Sequence, residues 1–353
     1  MVPRKWVAGG LAWVLAGWLA ASGCAGPGTA GGGRQAGDGA GGSAVLDAVA
    51  LSTARERAIA ALEGLAEHPD PVVRANALEA LLEAPGRAER WLAKGLADPN
   101  PGVRAVALMG IGKGGYRTLA LQAEPLLEDP SAMVRVNAAY ALATAGRDGG
   151  MPILAQVLLG SDRPPERAQA AFVLGELGNR SALPLLREAA AKAMPMAPAG
   201  QVRLMALQMS EAMVKLGDQE QIQPIRAALY PARPEDLEAT ALAARILGEV
   251  GDHGSENQLV LLTARLDDRG NMMPPEVRLS AVYALAQLGR RQGDVFALAY
   301  LDDPSPSVRA LAALCLGAIG KAEHLPAVEG LLADPDPGVR VHAAAAVVRL
   351  TRP

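Results

Sequence analysis

A valine-arginine pair returns about every 31 residues, and an alanine follows it at a fixed distance. The pairs are Val73-Arg74, Val103-Arg104, Val134-Arg135, Val202-Arg203, Val277-Arg278, Val308-Arg309 and Val339-Arg340. Glu166-Arg167 and Leu237-Glu238 fill the two remaining slots. Three residues after each landmark stands Ala77, Ala107, Ala138, Ala170, Ala206, Ala241, Ala281, Ala312 or Ala343. The steps between landmarks are 30, 31, 32, 36, 35, 40, 31 and 31 residues. Self-similarity at such a period marks stacked supersecondary units, each burying its apolar face only against its neighbours.

One unit shows the logic. Asp303-Pro304-Ser305-Pro306 opens it, with Ser305 placed as a helix cap and Pro306 as a first helical residue. Asp70-Pro71, Asn100-Pro101 and Asp336-Pro337 repeat the cap-then-proline pair. About three helical turns follow, and Gly320 closes them, as Gly115, Gly146, Gly178 and Gly289 do at the same offset. A turn then leads to a second helix. The recurrent alanine lets a neighbouring helix approach closely. Seven residues after the landmark, Leu81, Ile111, Leu142, Leu174, Leu285, Leu316 and Val347 supply bulk, whereas Ser210 and Arg245 depart from the rule.

The arginines suggest an electropositive stripe, but charge argues for a structural role. The formal net charge is -3, and aromatic residues are only 3% of the chain. A mildly acidic protein is poorly suited to a phosphate backbone, so nucleic acid is not expected as a partner. Asp98, Asp129, Asp303 and Asp334 each precede Arg104, Arg135, Arg309 and Arg340 by six residues, and Arg74 has His68 there instead. Asp and Arg at one offset predict a ladder of ion pairs along the stack.

The pattern D-P-x-x-x-V-R-x-x-A-x-x-A-L-x-x-x-G resembles the HEAT-like repeats of the phycobilisome-lyase type, over residues 49–353. That resemblance implies an all-α, right-handed α-solenoid of eight to nine helical hairpins, with one helix of each pair lining a concave face. Protein partners are expected on that face. The second helices are expected near 87–97, 117–128, 150–160, 181–192, 219–229, 255–266, 292–301 and 323–332. A helix near 52–66 is expected to cap one end. Glu56, Arg57 and Glu63 there, and Arg349 and Arg352 at the other end, are expected to keep the array from stacking onto a second molecule.

The N-terminus reads as an address. Arg4 and Lys5 precede an apolar run from Trp6 to Ala21, too short for the roughly 20 residues of a membrane span. The run ends in Ala21-Ser22-Gly23-Cys24, which resembles the lipobox of bacterial lipoproteins. The resemblance implies a signal peptide over 1–23, lipidation of Cys24, and a Gly/Ala-rich tether over 24–48. A soluble secreted protein and an uncleaved anchor are the other readings of this layout. Ala25, where aspartate signals inner-membrane retention in well-studied lipoproteins, points to the outer membrane, facing the periplasm.

Chemistry is sparse. His68, His253, His324 and His342 are not followed by glutamate, unlike the iron-binding dipeptides of the deoxyhypusine hydroxylases that share this scaffold. No metal or cofactor is expected. Cys315 lies between Leu314 and Leu316, where a buried structural thiol is expected. No Gly-x-Ser-x-Gly or P-loop is present. Three insertions, near 191–200, 230–234 and 267–275, carry Met194, Met196, Met272 and Met273 and are candidates for partner contact. The expectation is therefore a non-enzymatic, membrane-anchored scaffold or adaptor. An enzyme or enzyme-accessory subunit of the lyase or hydroxylase type is the alternative, and a polysaccharide or small-ligand binder is a third class.

Overall fold

The computed structural model describes residues 48–266, 270 and 272–352. The signal segment, Cys24 and the tether lie outside the described residues. Those described form eighteen α-helices and no β-strand. Numbered along the chain, α1 is Ala48–Leu65, α2 Pro71–Leu81, α3 Pro85–Gly95, α4 Pro101–Gly114, α5 Arg117–Ala120 and α6 Ala132–Thr144. Next come α7 Met151–Gly160, α8 Pro164–Leu177, α9 Leu183–Ala191, α10 Ala199–Lys215, α11 Ile222–Ala227 and α12 Leu237–Glu249. The last six are α13 Glu256–Ala264, α14 Pro275–Gln287, α15 Asp294–Ala299, α16 Pro306–Ile319, α17 Leu325–Gly330 and α18 Pro337–Leu350. Even-numbered helices carry the repeat landmark and form an inner layer; odd-numbered helices form the outer one.

Capping sets the inner helices. The Asp70, Asn100 and Asp336 side chains accept from the backbone N–H of Val72, Gly102 and Val339, each just ahead of or beyond a first-turn proline. Gly115, Gly178 and Gly320 close α4, α8 and α16 at φ 69°, 70° and 70°, a conformation that favours glycine. Ser305 stands at the cap of α16, yet its hydroxyl meets Ser307 Oγ rather than a backbone N–H.

Two landmarks read from the sequence are displaced. Ala206 is exposed, so it is not the packing alanine of the fifth unit. Packing between inner helices shows the true register. Cβ atoms on Gly175, Gly248 and Gly317 would approach the Cα atoms of Ala212, Ala284 and Ala346 at 2.9, 2.7 and 2.8 Å. Those close approaches place Ala206 and Thr240, not Arg203 and Glu238, at the arginine position of units five and six. Met209 and Ala243 then take the packing position, and Met213 and Leu247 the bulky one; all four are buried. Val-Arg marked an extra turn at the start of α10, and the insertions before α10 and α12 hid the shift. In this register Ser210 and Arg245 are no longer departures.

The array does not end in two free caps. The C-terminal helix α18 packs on both α1 and α2. Arg55 donates from Nη1 to the Val348 carbonyl at 2.7 Å, and Arg57 pairs with Glu329 at 2.6 Å. Arg349 pairs with Glu83 at 2.8 Å, and Arg352 pairs with the same carboxylate. One apolar cluster draws on both ends of the chain, from Ala54 to Leu142 and from Leu279 to Leu350. The solenoid is thus closed into a ring of nine hairpins, in which α1 is the outer helix between α18 and α2. Arg57, Arg349 and Arg352, expected as polar end caps, instead join the two ends, because each unit's exposed flank is complementary to the other's. Glu56 and Glu63 serve locally, both pairing with Arg87.

Candidate functional site: the hub of the ring

Closing the ring turns the concave faces of nine inner helices toward one another. Two rows of side chains meet there, five and nine residues after each landmark. The first row is Glu79, Met109, Tyr140, Phe172, Glu211, Arg245, Tyr283, Leu314 and Ala345. The second is Glu83, Lys113, Thr144, Glu176, Lys215, Glu249, Gln287, Ala318 and Arg349. The lumen is therefore filled by side chains: Tyr140, Phe172 and Leu314 are all buried.

Charge alternates around the second row. Lys215 reaches Glu176, Glu211 and Glu249 at 2.7, 2.5 and 2.9 Å. Lys113 lies 3.9 Å from Glu176, and both lysines stand over the Phe172 ring, at 5.0 and 4.8 Å. Burial pulls the Lys215 ammonium down, but the three carboxylates outweigh it and hold the lysine well above its ordinary value. Burial lifts Glu176, and Lys215 and Lys113 more than reverse it, leaving it lowered. The Arg349–Glu83 pair at the seam belongs to the same row, so the joint is stitched as the rest of the hub is.

Glu79 is different. Its side chain is buried, its Oε2 has no hydrogen-bond partner, and burial pushes its pKa up to about 7 against the pull of Lys113, Arg245 and Arg349, with Glu83 adding to the rise. It lies in a cavity of about 450 Å3 on the side of the ring where the inner helices begin. Pro71, Val72, Pro101, Gly102 and Ser131 form the rim, and Ala75, Leu82, Val106 and Met109 the apolar walls. A polar strip crosses one wall: Gln169 donates to Asn137 Oδ1 at 2.5 Å, and Asn137 donates to the Ala105 carbonyl at 2.8 Å.

The arginine–aspartate ladder lies elsewhere, between neighbouring turns. Arg74 binds Asp98 through two hydrogen bonds at 2.9 and 2.8 Å, Arg104 binds Asp129 at 2.9 and 3.0 Å, and Arg309 binds Asp334 at 2.8 and 2.9 Å. The rung joins each arginine to the following unit's aspartate. The aspartate six residues earlier in its own unit offers its carbonyl, as Asp98, Asp129, Asp303 and Asp334 do to Arg104, Arg135, Arg309 and Arg340. Each aspartate also accepts from the backbone N–H two residues on. Asp303 serves only that turn, since Arg278 turns to the Thr263 carbonyl and the Tyr300 hydroxyl. His68 replaces the aspartate at the seam, and its Nδ1 accepts from Asp70 N.

The remaining candidates are structural in placement. Cys315 is buried, donates to the Leu279 carbonyl at 3.2 Å, and burial drives its thiol pKa far up. Among the described residues one group offers three metal-ligating side chains with atoms within 4.8 Å of one another: Asp294, Glu323 and His324. Asp294 is already held by Lys321 and by His324 Nε2 at 3.2 Å. Met196 is exposed on the first insertion, whereas Met273 is buried under the third. No helix among the described residues is long and apolar enough to cross a membrane.

Sequence reasoning missed the hub. Its signal was available as ionisable residues within otherwise apolar inner helices, but Glu211, Lys215, Arg245 and Glu249 align with Glu79, Lys113 and Glu176 only after the register of α10 and α12 is corrected.

HEAT repeats are recognised at residues 89–158 and 271–349, and a PBS lyase HEAT-like repeat at 166–192. No curated protein sequence matches the chain. Among solved structures it is similar to the CpcE–CpcF complex of phycocyanin lyase from Nostoc sp., at 19% identity and TM-score 0.42, covering 75% of this chain and 97% of that one. It is also similar to human deoxyhypusine hydroxylase in complex with glycerol, at 21% identity and TM-score 0.38, covering 76% and 97%. An engineered protein matches at 20% identity and TM-score 0.30, covering 88% and 97%.

Proposed function

We propose that this ring of HEAT-like repeats is a membrane-anchored, extracytoplasmic adaptor that captures a segment of another protein at the mouth of its lumen. The observation that carries the reading is the cavity of about 450 Å3 between α2, α4 and α6. It has the size of a small-ligand pocket, too small for a folded partner and large enough for the side chains of an inserted segment. A solenoid whose inner face is turned inward has no long groove to offer, so capture shifts to the rim. The lipobox-like Ala21-Ser22-Gly23-Cys24 and the Gly/Ala-rich tether support anchoring at the membrane and display in the periplasm, on the outer membrane.

A photo-crosslinking residue at position 72, on the rim, is compared with one at 295, on the outer layer, in native envelopes. The expected result is one protein adduct specific to position 72. Identical adducts at both positions, or none at 72, would overturn the adaptor reading. Lipid labelling that is lost in Cys24→Ser supports the anchor, and labelling unchanged in that variant removes it.

A further inference from the structure

We propose that the cavity at the ring's mouth binds an ammonium group carried on an apolar arm, with the Glu79 carboxylate as counter-ion. The adaptor reading enters only in the source of that amine, a lysine side chain of a captured segment.

One polar atom lining the cavity lacks a hydrogen-bond partner, the Glu79 Oε2. Glu79 Oε2 is a buried acceptor with no partner, and a buried carboxylate left so is costly. The polar atoms of the wall are, by contrast, occupied with one another: Gln169 with Asn137, and Asn137 with the Ala105 carbonyl. An anion is disfavoured, because Lys113, the cation lining the cavity, is committed to Glu176 and the Phe172 ring. A metal ion is disfavoured too, since one carboxylate is a poor ligand set. Between rim and carboxylate the walls are Ala75, Leu82, Val106 and Met109. A charged head on an apolar arm matches that layering.

Proton linkage supports the geometry. With the cavity empty, burial keeps the Glu79 acid largely protonated below pH 7. An ammonium ligand stabilises the carboxylate, so binding below pH 7 releases a proton, and affinity rises with pH until Glu79 is ionised. Alkylammonium groups stay charged throughout that range. The groups facing Glu79 are Lys113 on α4, Arg245 on α12, Arg349 on α18 and Glu83 beyond α2.

Calorimetric titration of the full chain in detergent tests this with three probes. They are hexylammonium, an end-capped pentapeptide with one central lysine among alanine and leucine, and the same peptide with that lysine Nε-acetylated. Both amines are expected to bind saturably, about ten-fold more tightly at pH 8 than at pH 5.5, because up to one proton is released on binding at the lower pH. Acetylation and Glu79→Gln are each expected to weaken peptide binding about ten-fold at pH 8, and the variant to lose the pH dependence. Val106→Phe narrows the cavity without altering charge and is expected to weaken both amines. Equal binding of the acetylated peptide, or unchanged binding by Glu79→Gln, overturns the proposal, as does the absence of saturable binding at millimolar amine. Binding of hexylammonium but not of the lysine peptide upholds the ammonium site and removes the adaptor reading.

Discussion

The arcs on either side of the seam keep the repeat more regularly than the middle of the chain does. One apolar cluster crosses the seam and joins residues 54–142 to 279–350. The arcs on either side of it keep Arg–Asp rungs at Arg74, Arg104 and Arg309, while at the seam itself His68 stands in the aspartate's place. In the middle arc two separate clusters cover 109–216 and 207–288. There the ladder lapses. Arg167 reaches only the Ser161 carbonyl, and its Nη1 is buried without a partner. Ala206 and Thr240 replace the next two arginines, and the Thr240 hydroxyl meets the Ala228 carbonyl instead. Covalent continuity holds the middle whatever its repeats look like. Only complementary surfaces hold the seam, and there Arg349 and Arg352 on Glu83, with Arg55 on the Val348 carbonyl, do what no rung does.

Breaking the seam is expected to have the largest effect. Arg349→Met combined with Arg352→Met strands the half-buried Glu83 carboxylate and is expected to cost about 3–5 kcal/mol in urea unfolding, with an enlarged radius in small-angle scattering as the ring opens. Adding Glu83→Leu to that variant is expected to recover most of that stability, since it leaves no unpaired charge. If the double variant unfolds like wild type, the ring is held by its apolar contacts alone.

The hub gives the next effect, and it depends on pH. The folded pKa of Glu79 is raised from 4.5 to about 7, so its stabilising neutral form is fully present below pH 4.5 and lost as pH rises through 7. Glu79→Gln keeps a neutral side chain at every pH. The variant is expected to match wild type at pH 4.5 and to exceed it by about 3 kcal/mol well above pH 7. A constant difference between the two across that range would place the charge of Glu79 outside the folding balance.

The ladder gives the smallest effect and sharpens the comparison directly. Asp129→Ala removes both the Arg104 rung and the cap on Ser131 N, an expected loss of about 2–3 kcal/mol. Asp303→Ala removes only the cap on Ser305 N, an expected loss of about 1 kcal/mol. Equal losses in chemical denaturation would mean that the turn, not the rung, gives this aspartate its value.

Much of the fold was legible because it is local. Helix starts at Asp70, Asn100 and Asp336 and stops at Gly115, Gly178 and Gly320 are set within a few residues, and the structure has them where the repeat places them. Rungs of the ladder were legible as residue types but not as partners, because Arg74 meets an aspartate 24 residues later rather than the residue beside its own turn. Ring closure was not legible. It depends on the small turn between units summed over the whole array, and no single residue encodes that sum. The hub inherits the same difficulty, since Glu79 and Arg245 meet only when helices far apart in sequence are brought round the circle.

Closure also fixes the number of units. An open array gains or loses a repeat at its end with a local change in stability. Here nine hairpins complete the turn, about 40° each, and a tenth would have no gap to enter. Removing one would leave Arg349 and Glu83 a full helix width apart. Nor does the circle have a natural beginning: joining position 352 to 48 and opening the chain in any outer turn would preserve every contact.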